Sequence, residues 1–210
     1  VSNRYSVDRL CAELKELKLR WPTQVIKFYD DIFTLREDEW LEEFSEKYPK
    51  EVGLPFHCLV RADILTEGML LKLKKAGIQS ISMSIEAGNE FVREHILERG
   101  MSTEAMIRGF DLCYKHGVYT FANTILAIPV KKEVEEKHNL PSALERDIES
   151  LDMNIRCHVT FGEFPILFPY PGTKLGQYCA ENGFFDGDYD KLHMSYSTES
   201  PMNCFSPEEK

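Results

Sequence analysis

No run of apolar residues approaches the roughly 18 needed to cross a bilayer, and no basic start leads into a short apolar stretch, so neither a spanning helix nor a signal peptide is expected. A basic excess is missing too. Lys and Arg number 25 against 35 Asp and Glu, a net charge of -10, which argues against nucleic acid or an anionic membrane as the main partner. Paired cysteines are lacking: Cys11, Cys58, Cys113, Cys157, Cys179 and Cys204 stand singly without metal-ligand spacing, as reduced thiols of a cytoplasmic protein would. The histidines (His57, His95, His116, His138, His158, His193) show no zinc pairing, so each is expected at the surface or as a satisfied polar residue. Cys58, inside an apolar run, is expected in the core rather than as a nucleophile. With no G-x-G-x-x-G, P-loop or G-x-S-x-G, the usual support for nucleotide and hydrolase readings is absent.

What is present is 210 residues, 43% of them hydrophobic, enough for one domain with its own core. Ser6 opens a helix with Val7, Leu10, Leu14 and Leu17 at helical spacing, stopping before Pro22. The β-rich run Val25 to Tyr29 ends in Asp30-Asp31. Thr34 and Glu37 read as a capping box for a helix with Trp40, Leu41, Phe44 and Tyr48 on one face, spent by Pro49. Pro55 to Val60 is a strand closed by Arg61, followed by a helix capped at Thr66, with Met69, Leu70 and Leu73 inward and Gly77 as its stop.

Ile78 to Glu86 is the most informative strand. Ile81, Met83 and Ile85 alternate with Ser80, Ser82, Ser84 and Glu86, so one face meets helices and the other lines an interior, with Glu86 at its mouth. Helical segments follow at about 89 to 97 and 102 to 116, the latter with Met106, Phe110 and Cys113 in one stripe. A strand runs from Val118 to Ile128, ending at Pro129. Lys131 to His138 reads as a solvated loop, and 141 to 151 as a helix with Leu144, Ile148 and Leu151 inward. A strand at about 158 to 164 leads into the turn Pro169 to Thr173 and a last helix ending at Asn182-Gly183.

Strand-helix alternation of this kind implies an α/β fold with a parallel sheet and right-handed crossovers, an incomplete barrel. Residue one is Val, the first helix lacks a feeding strand, and Ser206-Pro207-Glu208-Glu209 starts a helix with nothing after it. A missing first strand is therefore expected. Ligands of such sheets sit at the carboxyl ends of the strands, where Asp30, Asp31, Arg61, Glu86 and Asn123 stand. The two aspartates also suit a solvated loop, and Arg61 suits a structural bridge to Asp63. Glu86 is hardest to dismiss, because it continues the serine face and precedes Ala-Gly, where backbone can approach a ligand closely.

The ordered segments FYDDIF (28 to 33), VRAD (60 to 63), SIEAGNE (84 to 90), ILERGMS (96 to 102) and FPYPGT (168 to 173) resemble the radical S-adenosylmethionine (radical SAM) enzymes, above all the branch associated with a cobalamin-binding domain. The likeness implies a partial (β/α)6 TIM-like barrel over residues 1 to 183, with 184 to 210 as a C-terminal extension. It implies S-adenosylmethionine and a 4Fe-4S cluster as cofactors, with cobalamin in an upstream domain for some members, an organic substrate, and an electron donor such as flavodoxin or ferredoxin. By position, Asp30 and Asp31 would face the methionyl ammonium and Arg61 the methionyl carboxylate. Glu86, assisted by Ser84, would take the ribose hydroxyls or the methionyl portion. Asn123, Ile128 and Pro129 would line the nucleoside, and Tyr170 would face cofactor or substrate.

Two departures stand beside the likeness. The cluster motif C-x3-C-x2-C is absent, so its ligands are expected upstream, no residue here is assigned to a metal, and the isolated chain is expected to be inactive. Where a G-x-P-G-E-T turn is expected, Ala127-Ile-Pro-Val130-Lys-Lys stands instead, placing Cβ atoms where backbone would approach adenine. The reading is a radical SAM core acting by methyl transfer or ring formation on a substrate the sequence does not name. Its rivals are a degenerate barrel serving as a binding or scaffold module and a barrel lyase or hydrolase using Asp30 and Glu86 as an acid-base pair.

Overall fold

Ser6 caps the first helix as its sequence requires, its hydroxyl accepting from the Arg9 amide, and α1 runs Val7–Arg20 with Val7, Cys11 and Leu14 buried. The computed structural model describes residues 4–191 and 202–205; Ser206 to Glu209 and His193 lie outside the described residues. The strands β1 (Ile26–Lys27), β2 (Phe56–Leu59), β3 (Ile78–Ser82), β4 (Tyr119–Asn123) and β5 (Phe161–Glu163) follow one another in a sheet ordered β1-β2-β3-β4-β5. The β1 to β4 ladders are parallel. Helices α1, α2 (Glu39–Glu51), α3 (Glu67–Ala76), α4 (Thr103–Lys115), α5 (Lys132–His138), α6 (Ala143–Arg156) and α7 (Lys174–Glu181) alternate with them. The expected α/β parallel architecture is present. Among the described residues no helix is long and apolar enough to cross a membrane.

The chain divides into two units. The first comprises Val1–Met83, Glu104–Phe121 and His158–Thr160. Its core is aromatic: Phe28, Phe33, Phe44, Tyr48 and Phe56 have ring centroids 4.8 to 6.4 Å apart, and Leu41, Leu70, Leu73 and Met69 seal it from the helices. Each such side chain contributes about 1.5–3 kcal/mol by leaving water. Thr66 caps α3 by accepting from Met69, and Gly77 ends it with φ 103°, a conformation only glycine adopts without strain.

Several boundaries differ from expectation. The capping box at Thr34 and Glu37 is not formed; Asp38 caps α2 by accepting from Leu41, while Glu37 reaches Thr66 and Lys72. A carboxylate next to the first turn outcompetes a buried threonine whose hydroxyl already bonds Arg36 O. Pro49 lies inside α2 rather than ending it, because in the last turn it forfeits a single backbone bond. β1 is two residues long, since past Phe28 the chain leaves the ladder to seat Phe33 in the aromatic cluster.

The second unit comprises Ser84–Thr103, Ala122–Cys157 and Phe161–Lys210. Its first helical segment is a π turn, Val92–Ile96, rather than an α-helix. The strand expected to reach Ile128 loses regular pairing after Asn123, keeping isolated parallel bridges at Glu86↔Thr124 and Leu126↔Ile166. Lys131 to His138, expected as a loop, is helical over α5, closed by Asn139 in a left-handed cap; it is solvated, with no buried residue.

The largest reversal is α6. Ser142 and Glu145 form its capping box, but Leu144, Ile148, Leu151 and Ile155 are 43, 49, 44 and 74% exposed, whereas Ala143, Arg146, Ser150, Met153 and Asn154 face inward. Polar loop backbone lies under this helix. Asp147 accepts from Ala127 N, Ser150 Oγ accepts from Gly88 N, and Asn154 donates to Thr124 Oγ1, so the polar stripe wins the interior.

Candidate functional site

The strand-end residues are built differently in the two units. In the first, Asp30 follows β1 and lines a cavity of about 440 Å3 with Arg4, Tyr5, Phe28, Phe33 and Trp40. Asp31 beside it is exposed. Arg61, just past β2, makes the bridge to Asp63 that its sequence allowed, Nε to Oδ1 at 3.0 Å and an Nη to Oδ2 at 2.7 Å, and this bidentate contact raises the guanidinium pKa further. The bridge uses one edge of the fork, leaving the edge between the two Nη atoms for a second planar anion. On the partly exposed sheet face, His57 is held between Ser80 Oγ (2.7 Å) and Ser82 Oγ (3.1 Å), the satisfied histidine expected. Burial, then the Lys27 charge, pushes its pKa down. Cys58 is fully buried and its thiol pKa is raised far above the usual range by desolvation, which fits a core residue.

In the second unit Ser84, Glu86 and Asn123 come together. Asn123 O accepts from both Ile85 N and Glu86 N at 3.0 Å, and Glu86 O accepts from Ile125 N at 2.8 Å, so the carboxylate is fixed where pairing with β4 ends. Glu86 itself sits at φ 63°, a left-handed conformation that disfavours a residue of its size. Its carboxylate pairs with Arg99 at 2.9 Å and accepts from Ser84. Burial raises its pKa, and Arg99 and then Ser84 partly oppose that rise. Ile128 and Pro129 are buried, and Ile128 packs with Ala87, Val92 and Val130 behind the carboxylate turn. Ala127, standing where the family turn has glycine, adopts φ 58°, and Asp147 accepts its amide through both oxygens (3.0 and 3.1 Å). The glycine-like backbone persists without glycine. Tyr170, half exposed, lines an apolar groove of about 340 Å3 with Ile125, Leu167, Phe168 and Leu175.

Arg99 and Arg93 were absent from the sequence-based set. Both lie in the Val92 to Gly100 stretch, where Arg99 reads as solvated charge and Arg93 as an interruption of an apolar stripe; only fold geometry turns them toward Glu86 and its turn. Among the described residues no three His, Cys, Asp or Glu side chains group as a metal site, and Cys11, Cys58, Cys113, Cys157 and Cys179 are buried. These donors do not fit an iron-sulfur cluster. A carboxylate with nearby hydroxyl and amide acceptors at a strand end does fit a ligand bearing hydroxyls or a cation.

Residues 2–140 match the family model described as the Radical SAM superfamily. An uncharacterised methyltransferase of Pyrococcus horikoshii is 23% identical over 178 residues, 85% of this chain and 36% of that one. The radical S-adenosylmethionine methyltransferase TsrM of Kitasatospora setae, solved with cobalamin and a [4Fe-4S] cluster bound, superposes with a TM-score of 0.64 at 18% identity over 85% of this chain and 34% of its own. Coproporphyrinogen III oxidase HemN of Escherichia coli, a radical SAM enzyme, gives 0.58 at 14% identity over 81% and 40%. The structural likenesses establish the fold. The chain spans about a third of the length of the first two relatives.

Proposed function

The chain belongs to the Radical SAM superfamily, and from that premise we propose that it is the core of an S-adenosylmethionine-dependent enzyme that starts radical chemistry on a small organic molecule, with methyl transfer as its reaction. The methyltransferase descriptions of the Pyrococcus relative and of TsrM support that choice over ring formation, and the cobalamin bound in TsrM supports a cobalamin-dependent form. Residues 1 to 183 form the catalytic core in this reading and 184 to 210 an extension.

A 4Fe-4S cluster bound to the whole protein would supply the electron for reductive cleavage of S-adenosylmethionine, and among the described residues no three His, Cys, Asp or Glu side chains group to hold it. This chain's side chains bind and orient. Glu86 accepts the ribose hydroxyls, with Ser84 holding the carboxylate toward them. Asp30 and Asp31 accept from the methionyl ammonium, and Arg61 offers the second edge of its fork to the methionyl carboxylate. Asn123, Ile128 and Pro129 flank the nucleoside, and Tyr170 faces cofactor or substrate. A flavodoxin- or ferredoxin-type donor in the cytoplasm completes the reading, in keeping with six cysteines scattered singly along the sequence.

The observation that carries the proposal is Glu86: a half-buried carboxylate on left-handed backbone, within a family match that covers it. Equilibrium binding of S-adenosylmethionine to the full-length protein tests it. Glu86→Ala is expected to weaken binding about tenfold, the loss of a pair of hydrogen bonds to a charged group, with the far-UV spectrum unchanged. Unaltered affinity in both Glu86→Ala and Asp30→Ala would overturn the site reading.

A further inference from the structure

Backbone held in the left-handed region by a glutamate needs something to hold it, and strand pairing supplies only part. The bonds from Ile85 N and Glu86 N to Asn123 O fix the approach, but the exit through Ala87 and Gly88 lies beyond the last bridge. One side chain holds both of its carbonyls. Arg93 is wholly buried; an Nη donates to Ala87 O at 2.6 Å and to Gly88 O at 3.2 Å, Nε donates to Met101 O at 2.9 Å, and the other Nη donates to Thr103 Oγ1 at 2.7 Å. The Thr103 hydroxyl in turn donates to Glu90. The guanidinium thus joins the two carbonyls after Glu86 to the segment after Arg99, and Arg93 O accepts from Arg99 N at 3.0 Å. Arg93 therefore tethers both partners of the Glu86–Arg99 pair, 2.9 Å apart: the turn after Glu86 through its guanidinium and Arg99 through its backbone carbonyl.

We infer that Arg93 is the positioning residue for Glu86, clamping the turn from which the carboxylate projects, and the inference rests on the reading of Glu86 as a cofactor ligand. Even with the Glu90 carboxylate 3.7 Å away as counter-ion, a buried charge bonded mainly to carbonyls is a costly way to close a turn that neutral groups can close. A planar fork meets acceptors in several directions at fixed distances; an ammonium, with its donors at one point, does not. The Gly88 amide is also tethered, donating to Ser150 Oγ at 2.9 Å, so the turn is held from α6 as well as from Arg93.

A double-mutant cycle on the full-length protein tests the inference. S-adenosylmethionine affinity is measured for wild type, Glu86→Gln, Arg93→Met and the pair, with hydrogen exchange at the Gly88 amide followed alongside. Arg93→Met and Glu86→Gln are each expected to lose about tenfold in affinity, and the double variant no more than about tenfold, because the second change removes what the first has already misplaced. Gly88 exchange is expected to accelerate in Arg93→Met and not in Glu86→Gln. If Arg93→Met does not fold, Arg93→Lys carries the same cycle with a smaller loss. A loss of about a hundredfold in the double variant, or unchanged Gly88 exchange, overturns the role of Arg93 and leaves Glu86 standing as a ligand. No loss in Glu86→Gln removes the ligand reading itself and this inference with it.

Discussion

Replacing Glu86 by glycine separates a residue kept for binding from one kept for the fold. At φ 63° glutamate carries a left-handed penalty of about 1–2 kcal/mol, which glycine relieves. Against this stand about 0.4–1 kcal/mol for the freer unfolded chain and about 0–1 kcal/mol for the Arg99 pair, a small figure because the arginine side chain is 41% exposed. Stability should therefore stay within about 1.5 kcal/mol of wild type, the net of those terms. Glu86→Asn, which tolerates the same backbone without the glycine entropy, should be at least as stable as Glu86→Gly; Glu86→Ala keeps the strain and should rank last. Urea unfolding gives the ranking, and S-adenosylmethionine binding should fall in all three. A linked pH effect accompanies it. Because burial holds the Glu86 carboxyl above its ordinary range, the folded chain keeps this proton to higher pH than the unfolded chain does. The resulting stability is complete below the ordinary carboxylate pKa and is lost as pH rises through the raised value, and Glu86→Asn should abolish that slope. Destabilisation beyond about 3 kcal/mol in all three variants would refute the reasoning and make Glu86 structural.

Gly88→Ala should cost stability, since a Cβ there would lie 2.4 Å from Glu149 O in the backbone of α6, and overpacking against main chain costs about 1–3 kcal/mol; an unchanged melting temperature would count against the tight approach. Native-state thiol labelling followed by mass spectrometry should modify Cys204 first, because the other five cysteines are buried and desolvation raises the Cys113 thiol pKa to about 12 and that of Cys179 to about 11. Rapid labelling of Cys58 would contradict its place in the core. Ile148→Ser should change unfolding stability by less than about 0.5 kcal/mol and Met153→Ala should lower it by about 2–4 kcal/mol, the opposite of what apolar periodicity alone gives for α6; the reverse order in urea unfolding would restore the leucine stripe to the interior.

The elements most legible in the sequence are those whose local signals and burial agree. Ser6, Thr66 and Gly77 act as read, and the alternation Ile81, Met83, Ile85 against Ser80, Ser82, Ser84 reappears as buried against partly exposed positions. Boundaries failed where two local signals competed, as at Thr34 and Asp38, or where pairing stopped before β-propensity did, as at Asn123. The charged run Lys131 to His138 misled for another reason: solvation says nothing against helix when Glu135 can pair with the buried Arg146 at 2.7 Å.

Glu86 could be read from the chain because a carboxylate at the end of an alternating strand declares itself by position. Arg93, Asp147 and Ser150 could not, since each acts on backbone whose own sequence is apolar or small: Ala87, Gly88 and Ala127. Loops after parallel strands carry amides and carbonyls that no neighbouring strand satisfies, and burying them demands polar side chains from elsewhere. That demand turns α6 over and places a charged guanidinium in the core. Left-handed backbone at Glu86 and Ala127 occurs where these borrowed hydrogen bonds converge, so the strain and the polar interior have one origin, the holding of strand-end turns in fixed positions.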